Sequence, residues 1–445
     1  MERDGNKIEI FDLVKCDQNE IHKLRNSDFD IVGISATSFS FTRAADILKE
    51  IKLTNKNIVT IMGGPHTTIA LGDVLQCEYI DYAIYGEGEI TIAELVKLLE
   101  HQPDLNQKQL ASIPGLIFRS QKGDVVVNPP RPWITDLDIL PFPAFHLFKN
   151  TKYYRSYPIL TSRGCPYHCI YCAAGTIWGH KWRSRSAINI IEEIEYAKKK
   201  YNWHENNFGI IDDSFNVSVP RAHEFCELLI NKQINIKWGC QGIRADNMPL
   251  ELAKKMKLAG CYGVTIGIES ADPQVLKNIK KGETIEQIST GIKNLSTAGI
   301  IVGASFMIGN PGDTLETIRK SIEFVQKSPL FGVSFNTARP YPKTELWDFV
   351  TDQGHFLEDD YTKFHHFSQE PSFETADFTR EERIKANELA RKFERAHEFK
   401  NYMSERMIRL KWKELAECSV IGKAELIYKS VHFLYGVIKN KRHKF

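Results

Sequence analysis

Cys165-Pro-Tyr-His-Cys169-Ile-Tyr-Cys172 sets three cysteines at C-x3-C-x2-C spacing, just after the apolar run Pro158 to Leu160 and the turn Ser162-Arg163-Gly164. Three thiolates this close together can reach one iron–sulfur cluster, and a [4Fe–4S] cluster held by only three leaves one iron without a protein ligand. An open metal position is what a catalytic centre needs and a structural one avoids, a rule stated for zinc whose logic transfers. A structural zinc knot with His168 or His180 as fourth ligand, or three buried thiols, also fits the spacing. The chain on either side narrows the choice.

Six strand-like runs recur from this point with helix-like segments between them: Pro158–Ser162, Asn207–Asp212, Ile236–Gln241, Gly263–Ile268, Ile300–Ile308 and Gly332–Ala338. The intervening segments are amphipathic. One of them begins Thr284-Ile-Glu-Gln287, a capping-box pattern, and stops at Gly299. Six β–α units predict a partial (βα)6, TIM-like barrel over residues 158–345, with its chemistry at the carboxyl ends of the strands. Polar residues stand at those ends where an apolar core would not want them. They are Asp212-Asp213-Ser214-Phe215, Gln241-Gly-Ile-Arg244-Ala-Asp246, Gly267-Ile-Glu269-Ser270, Gly309-Asn-Pro311-Gly312-Asp313 and Ala338-Arg339-Pro340-Tyr341-Pro342. Singly each is weak, since a lone Asp-Asp is usually a helix cap and a lone Arg-x-Asp a surface pair. Together, in this order behind a cysteine loop, they are a strong signal.

With Tyr171 directly before the last cysteine, the loop resembles that of the radical S-adenosylmethionine enzymes. The resemblance implies that Cys165, Cys169 and Cys172 hold a [4Fe–4S] cluster, that S-adenosylmethionine chelates the open iron, and that reduction cleaves it to a 5′-deoxyadenosyl radical. S-adenosylmethionine presents an ammonium, a carboxylate and ribose hydroxyls. Acidic groups suit the first and last, and an arginine suits the carboxylate. By resemblance, Asp213 and Glu269 are expected at the amino group or ribose and Arg244 at the carboxylate. Gly309 to Gly312 are expected near the adenine, and Tyr171 on the adenine side, partly through its backbone. Arg244 with Asp246 also reads as an ion pair that fixes the strand end. Arg339 and Tyr341 face substrate or form a rigid turn between prolines. No catalytic side chain beyond these is singled out.

Residues 1–103 alternate short apolar runs with helix-like segments: Lys7-Ile-Glu-Ile-Phe-Asp-Leu13, Asp30-Ile-Val-Gly-Ile-Ser35, Ile58-Val-Thr-Ile-Met-Gly-Gly64 and Tyr82-Ala-Ile-Tyr-Gly86. That alternation predicts a Rossmann-like parallel α/β sheet with its ligand outside the carboxyl ends of the strands. Glycine there lets backbone approach a large ligand. The order Asp-x-Val-Gly-Ile-Ser35, Gly63-Gly64-Pro-His66, Gly86-Glu87-Gly88-Glu89 resembles the cobalamin-binding domain of one branch of the same family. It implies cobalamin contacts at Ser35, Gly63, Gly64, His66, Gly86, Glu87 and Gly88. No D-x-H-x-x-G occurs, which implies cobalamin bound without a protein imidazole beneath cobalt. The sheet is of flavodoxin type but lacks the first strand the family places ahead of Lys7, so the first strand here pairs elsewhere or stands at an edge.

Residues 104–157 read as a β-hairpin (Leu110 to Arg119, Asp124 to Asn128) followed by a proline-rich connector. Residues 346–445 read as a helical extension. Its Tyr361, Phe364, His365, His366 and Phe367 form a substrate lid or, more simply, a packed loop. The tail from Leu426 to Phe445 ends Lys439-Asn-Lys441-Arg442-His-Lys444. Such an end can rest on an anionic membrane, though it is more often a solvated helix end. A chain of 445 residues, 42% apolar and 26% charged, predicts two or three globular domains. A net charge of +2 gives no argument for nucleic acid. No apolar signal segment or membrane-spanning run is visible. Six further cysteines (Cys16, Cys77, Cys226, Cys240, Cys261, Cys418) are scattered, which with an oxygen-labile cluster favours a reducing cytoplasm.

The resemblance implies a cobalamin-dependent radical enzyme, most commonly transferring a methyl group to an unactivated carbon of a small-molecule or lipid substrate. A flavodoxin or ferredoxin is implied as reductant. Oxidative cyclisation or rearrangement, with the N-terminal domain as a scaffold that binds no cobalamin, is one alternative. A non-catalytic iron–sulfur or zinc protein is the other.

Overall fold

The computed structural model describes residues 2, 5–13, 24, 28–101, 106–148, 156–201, 206–364 and 368–402. The short apolar runs of the N-terminal region pair in the order in which they occur. Strands β1 (Ile31–Ser35), β2 (Val59–Gly63) and β3 (Tyr82–Ile84) are parallel, and β4 (Leu116–Arg119) and β5 (Val125–Val127) extend the sheet antiparallel. Strand side chains alternate between faces. Val32, Met62, Ala83 and Ile117 pack with Phe41, Ala44, Ile47, Leu48 and Ile51, which recur at helical spacing on Ser38–Thr54. Ile61, Ile84, Leu116 and Phe118 pack on the other side with Leu95 of helix Glu89–His101 and with Leu110. The expected hairpin thus completes the sheet, its Leu116-Ile-Phe118 matching Ile84-Ala-Tyr82 residue for residue.

β1 stands at the sheet edge. Among the described residues the run Lys7–Leu13, expected as a strand, makes only an isolated bridge between Ile10 and Phe148. Its Phe11 and Leu13 pack against the core beside β1, so it is held by side-chain burial and not by a ladder.

β6 (Tyr157–Ile159), β7 (Asn207–Ile210), β8 (Lys237–Ile243), β9 (Cys261–Glu269), β10 (Ile301–Ile308) and β11 (Gly332–Thr337) form an all-parallel sheet in sequential order, not closed by hydrogen bonds between its outer strands. This is the expected partial barrel. Residues facing the helices are large and buried, among them Phe208, Trp238, Ile266, Phe306 and Phe335. Between them Gly209, Gly239 and Gly263 register across β7, β8 and β9, which keeps that part of the alternate face free of bulky side chains.

Trp238 is fully buried, with ring centroids 5.9 Å from Phe215 and 5.6 Å from Phe225, and its Nε1 donates to Ala259 O at 2.9 Å. Trp238→Ala is expected to cost about 3–5 kcal/mol, read as a lower urea midpoint. Ile139→Ala, at a residue 63% exposed, should stay within about 0.5 kcal/mol of the parent.

The C-terminal helix Arg380–Tyr402 packs on β11, preceded by a short antiparallel pair, Gly354–Phe356 with Phe373–Thr375. The segment between crosses to the N-terminal sheet: Tyr361 OH donates to Asp73 Oδ2 at 2.6 Å, and Thr42 Oγ1 to Thr362 Oγ1 at 3.2 Å. His365, His366, Phe367, Cys16, Cys418 and the basic tail lie outside the described residues. Among the described residues no helix is long and apolar enough to cross a membrane.

Candidate functional site

The three cysteines lie on the loop that leaves β6, where the short Ser162–Arg163 strand pairs antiparallel with Arg183–Ser184. The loop is tied at both ends. Gly164 N donates to Asp213 Oδ2 at 3.1 Å, Ile170 N to Ile279 O at 3.1 Å, and Leu346 N to Ile170 O at 2.9 Å. Gly164 has φ +82, and a Cβ there would stand 2.4 Å from Lys181 O, so only glycine fits. Burial pushes the Cys165 thiol up. Cys172 is reachable by solvent yet ringed by protein, and burial followed by the charges of its sister cysteines and Asp213 pushes it up to about 12. Thiols in such a field ionise when a cation binds them, which is the donor chemistry of a metal cluster. As placed, no three His, Cys, Asp or Glu side chains among the described residues form a ready metal cage. His180 Nδ1 lies 3.1 Å from Tyr167 O, and its ring stacks on His168 at 3.9 Å.

The strand ends divide into frame and exposed groups. Asp212 is buried and accepts from Thr161 N and Ser162 Oγ, each at 2.6 Å, and from Thr161 Oγ1, which locks β7 to β6. Asp213 is exposed, and partial enclosure raises its carboxyl above the ordinary range. Glu269 ends β9 with φ +69, a left-handed conformation that a long side chain enters only under constraint. Its carboxyl is raised by burial and opposed by the Lys281 charge, whose Nζ lies 3.6 Å away. Tyr171 packs against the barrel core, and burial followed by the Glu269 charge pushes its hydroxyl well above the ordinary range.

Arg244 is engaged within the protein. Its Nε and Nη2 donate to Asp246 at 3.0 and 2.9 Å, Nη1 donates to Lys281 O at 3.0 Å, and its guanidinium lies 3.6 Å from the Tyr167 ring centroid. Buried and bidentate, it forms the ion pair that fixes the strand end and cups the cysteine loop.

The glycines after β10 are likewise held by protein. Gly309 is buried with φ +101; its N donates to Asp313 Oδ2 at 3.0 Å, and Arg383 Nη1 donates to its O at 3.2 Å. Gly312 lines a cavity of about 640 Å³ together with Ile170, Pro311, Lys280, Glu345 and Asp377. That cavity touches the cysteine loop but shares no residue with Asp213, Glu269 or Arg244. Asp313 also accepts from Asn310 N at 2.8 Å and Thr317 Oγ1 at 2.9 Å, and burial raises its pKa from 3.8 to about 6. The fold thus favours the protonated acid. This contribution to stability is full below the unfolded value of 3.8 and is lost as pH rises through about 6. Asp313→Asn is expected to flatten that fall in urea midpoint between pH 4 and 6, since an amide keeps most of the hydrogen bonds without the charge.

At the carboxyl ends of β1 to β3, Ser35, Gly63, Gly64, Gly86 and Gly88 stand close together. Gly64, at φ +96, lets the chain pass Ser35, whose Oγ would be 2.6 Å from a Cβ. Gly86, at φ +73, has nothing within 4 Å of a Cβ position, and Thr67 Oγ1 is buried without a hydrogen-bond partner. Open backbone at Gly86, whose N donates to Thr68 Oγ1 at 3.0 Å, fits a large polar-rimmed ligand such as cobalamin. Two of the expected residues turn their side chains into the protein. His66 is fully buried, stacked on Phe41 at 4.0 Å with Nδ1 3.2 Å from Ser38 Oγ, and burial lowers its pKa. Glu87 is 3% exposed and turned away, accepting from Arg163, Arg183 and Ile134 N. Sequence reading missed Lys281, hidden in Lys280-Lys281, which looks like a solvated pair, and Arg163 and Arg183, which carry no motif.

Residues 159–325 match the family model for the radical SAM superfamily, and residues 1–96 that for the B12 binding domain. An uncharacterized methyltransferase of Pyrococcus horikoshii is 33% identical over 372 residues, 82% of this chain and 79% of that protein. An anaerobic magnesium-protoporphyrin IX monomethyl ester cyclase of Rubrivivax gelatinosus is 29% identical over 336 residues, covering 73% of this chain and 59% of that protein. The solved radical S-adenosylmethionine methyltransferase TsrM from Kitasatospora setae, with cobalamin and a [4Fe–4S] cluster bound, is similar in fold: its TM-score is 0.65 at 21% identity, over 78% of this chain and 72% of that one.

Proposed function

The chain belongs to the radical S-adenosylmethionine enzymes that carry a B12 binding domain, and from that premise we propose that it transfers a methyl group to an unactivated carbon of a small-molecule or lipid substrate. One observation carries the reading: the cysteine loop and the glycine-rich ends of β1 to β3 meet. Helix Pro65–Ile69, which follows Gly63-Gly64, packs against Ala174–Trp178, which follows Cys172, and Lys343 Nζ donates to Thr68 O at 3.2 Å. A corrin held by the first and a cluster held by the second would therefore be neighbours. When bound, the two groups supply reductive cleavage of S-adenosylmethionine and carriage of a methyl group. In this reading Cys165, Cys169 and Cys172 hold the cluster. Asp213 and Glu269 offer acceptors to the ammonium and ribose, while Arg244 and Asp212 keep those strand ends in place. Gly86 and its neighbours give backbone access to the corrin. A flavodoxin or ferredoxin supplies the electron.

Similarity to a methyltransferase supports methyl transfer. Similarity to the magnesium-protoporphyrin cyclase supports a second reading, oxidative cyclisation, which starts from the same hydrogen abstraction and diverges with substrate pose. Anaerobic reconstitution with iron, sulfide and hydroxocobalamin, followed by chromatography of S-adenosylmethionine products under dithionite, tests the proposal. Methyl transfer predicts both 5′-deoxyadenosine and S-adenosylhomocysteine, with one cobalamin retained per chain. Retention of no corrinoid and formation of 5′-deoxyadenosine alone would sink it.

A further inference from the structure

Gly86-Glu87-Gly88-Glu89 reads as a ligand loop, yet its two carboxylates turn toward the cysteine loop. Arg163 and Arg183 are directly opposite in the two-residue ladder that precedes Cys165. Like charges facing each other across a ladder repel. Both converge on Glu87: Arg163 Nη1 donates to Oε1 at 2.8 Å, and Arg183 Nη1 reaches Oε1 and Oε2 at 2.9 and 2.8 Å. Ile134 N adds a third donor at 2.7 Å, and Arg163 Nη2 reaches Glu89 Oε1 at 2.6 Å. The guanidinium groups are covered by Trp178, 5.5 Å from Arg163, and Trp133, 5.4 Å from Arg183. Arg183 is 9% exposed, and among the described residues its Nε and Nη2 have no hydrogen-bond partner, so its charge rests there on Glu87 and Ile134 O. Gly164, wedged against Lys181 O, leaves no slack between this ladder and Cys165.

We propose that Glu87 is a positioning residue for the cysteine loop: by holding Arg163 and Arg183 together it sets the place of Cys165, and its charge is part of the cluster's surroundings. The assignment rests on the cofactor reading above. Glu87 touches neither the cluster nor substrate and acts through the two arginines. The N-terminal sheet thereby tunes the cluster through the loop's carboxylate.

The test uses the full chain reconstituted anaerobically as parent, Glu87→Gln, Arg183→Met and the double variant. Each is read by EPR of the reduced cluster, by potentiometric titration and by melting temperature. Reduction adds negative charge to the cluster, so removing an anion should raise its potential and removing a cation should lower it. Glu87→Gln is expected to shift the potential upward and alter the EPR line shape. Arg183→Met is expected to shift it downward, and the double variant should return toward the parent. If Glu87→Gln or Arg183→Met matches the parent in spectrum and potential and only melts earlier, Glu87 is a structural tie and the assignment is overturned. Should Glu87→Gln fail to fold, the sign of the Arg183→Met shift decides. A parent chain that takes up no cluster overturns the cofactor reading and this assignment with it.

Discussion

Alanine at any one of Cys165, Cys169 or Cys172 is expected to remove 5′-deoxyadenosine formation, a loss on the order of a thousandfold or more because no other barrier-lowering route remains. Each thiol would hold a different iron, and two cannot keep a three-point grip. The loop itself should survive, since its ends are tied by backbone hydrogen bonds from Gly164, Ile170 and Leu346 that do not involve the sulfurs. The variants should therefore fold, bind little iron and sulfide, and lose the cluster's visible absorbance. Cys77→Ser, at a half-buried position in the N-terminal region, serves as control and should keep both. Cysteine variants that retain the parent's iron content, or a parent that binds zinc in its place, would return the loop to its structural reading.

The second large effect is expected at Glu269. Its backbone is held at φ +69, and a Cβ on Gly267 would stand 2.4 Å from its Oε1, so this strand end is shaped around the carboxylate. Strain of that kind is kept where the fold over-determines it. Lys281 is buried between Glu269 and Glu283, 3.6 and 3.5 Å from their oxygens, so Glu269→Gln leaves the lysine one counter-charge and preserves shape. A charge-assisted hydrogen bond to the ammonium or ribose is worth about 1.5–3 kcal/mol, so S-adenosylmethionine should bind roughly 10–100-fold more weakly to the variant. Calorimetry on reconstituted protein measures this. Unchanged affinity with lowered stability would make Glu269 only the partner of Lys281.

The barrel was legible because each β–α unit carries its own punctuation. Apolar runs of strand length end in Gly or paired acids, and Thr284 with Gln287 closes the capping box it predicts. The cysteine loop was legible from spacing. What the sequence could not convey was direction. Gly86-Glu87-Gly88 says that backbone comes close to something, but not that Glu87 faces Arg163 and Arg183. Asp212 and Asp213 are neighbours in sequence, yet Asp212 is buried and fastens β7 to β6, while Asp213 is exposed and holds Gly164 N of the cysteine loop. Arg244 was open to two readings, and its sequence context did not show that it pairs with Asp246 against the Tyr167 ring. Lys7–Leu13 has strand alternation, but a strand also needs a partner edge, which tertiary packing gave only at Ile10.

The most direct measurement is EPR of one reconstituted chain carrying cob(II)alamin, before and after reduction of its cluster. Neighbouring centres predict that the cobalt signal is broadened and relaxes faster once the cluster becomes paramagnetic. A spectrum equal to the sum of two independent centres, or no cobalt signal bound to the protein at all, would contradict it.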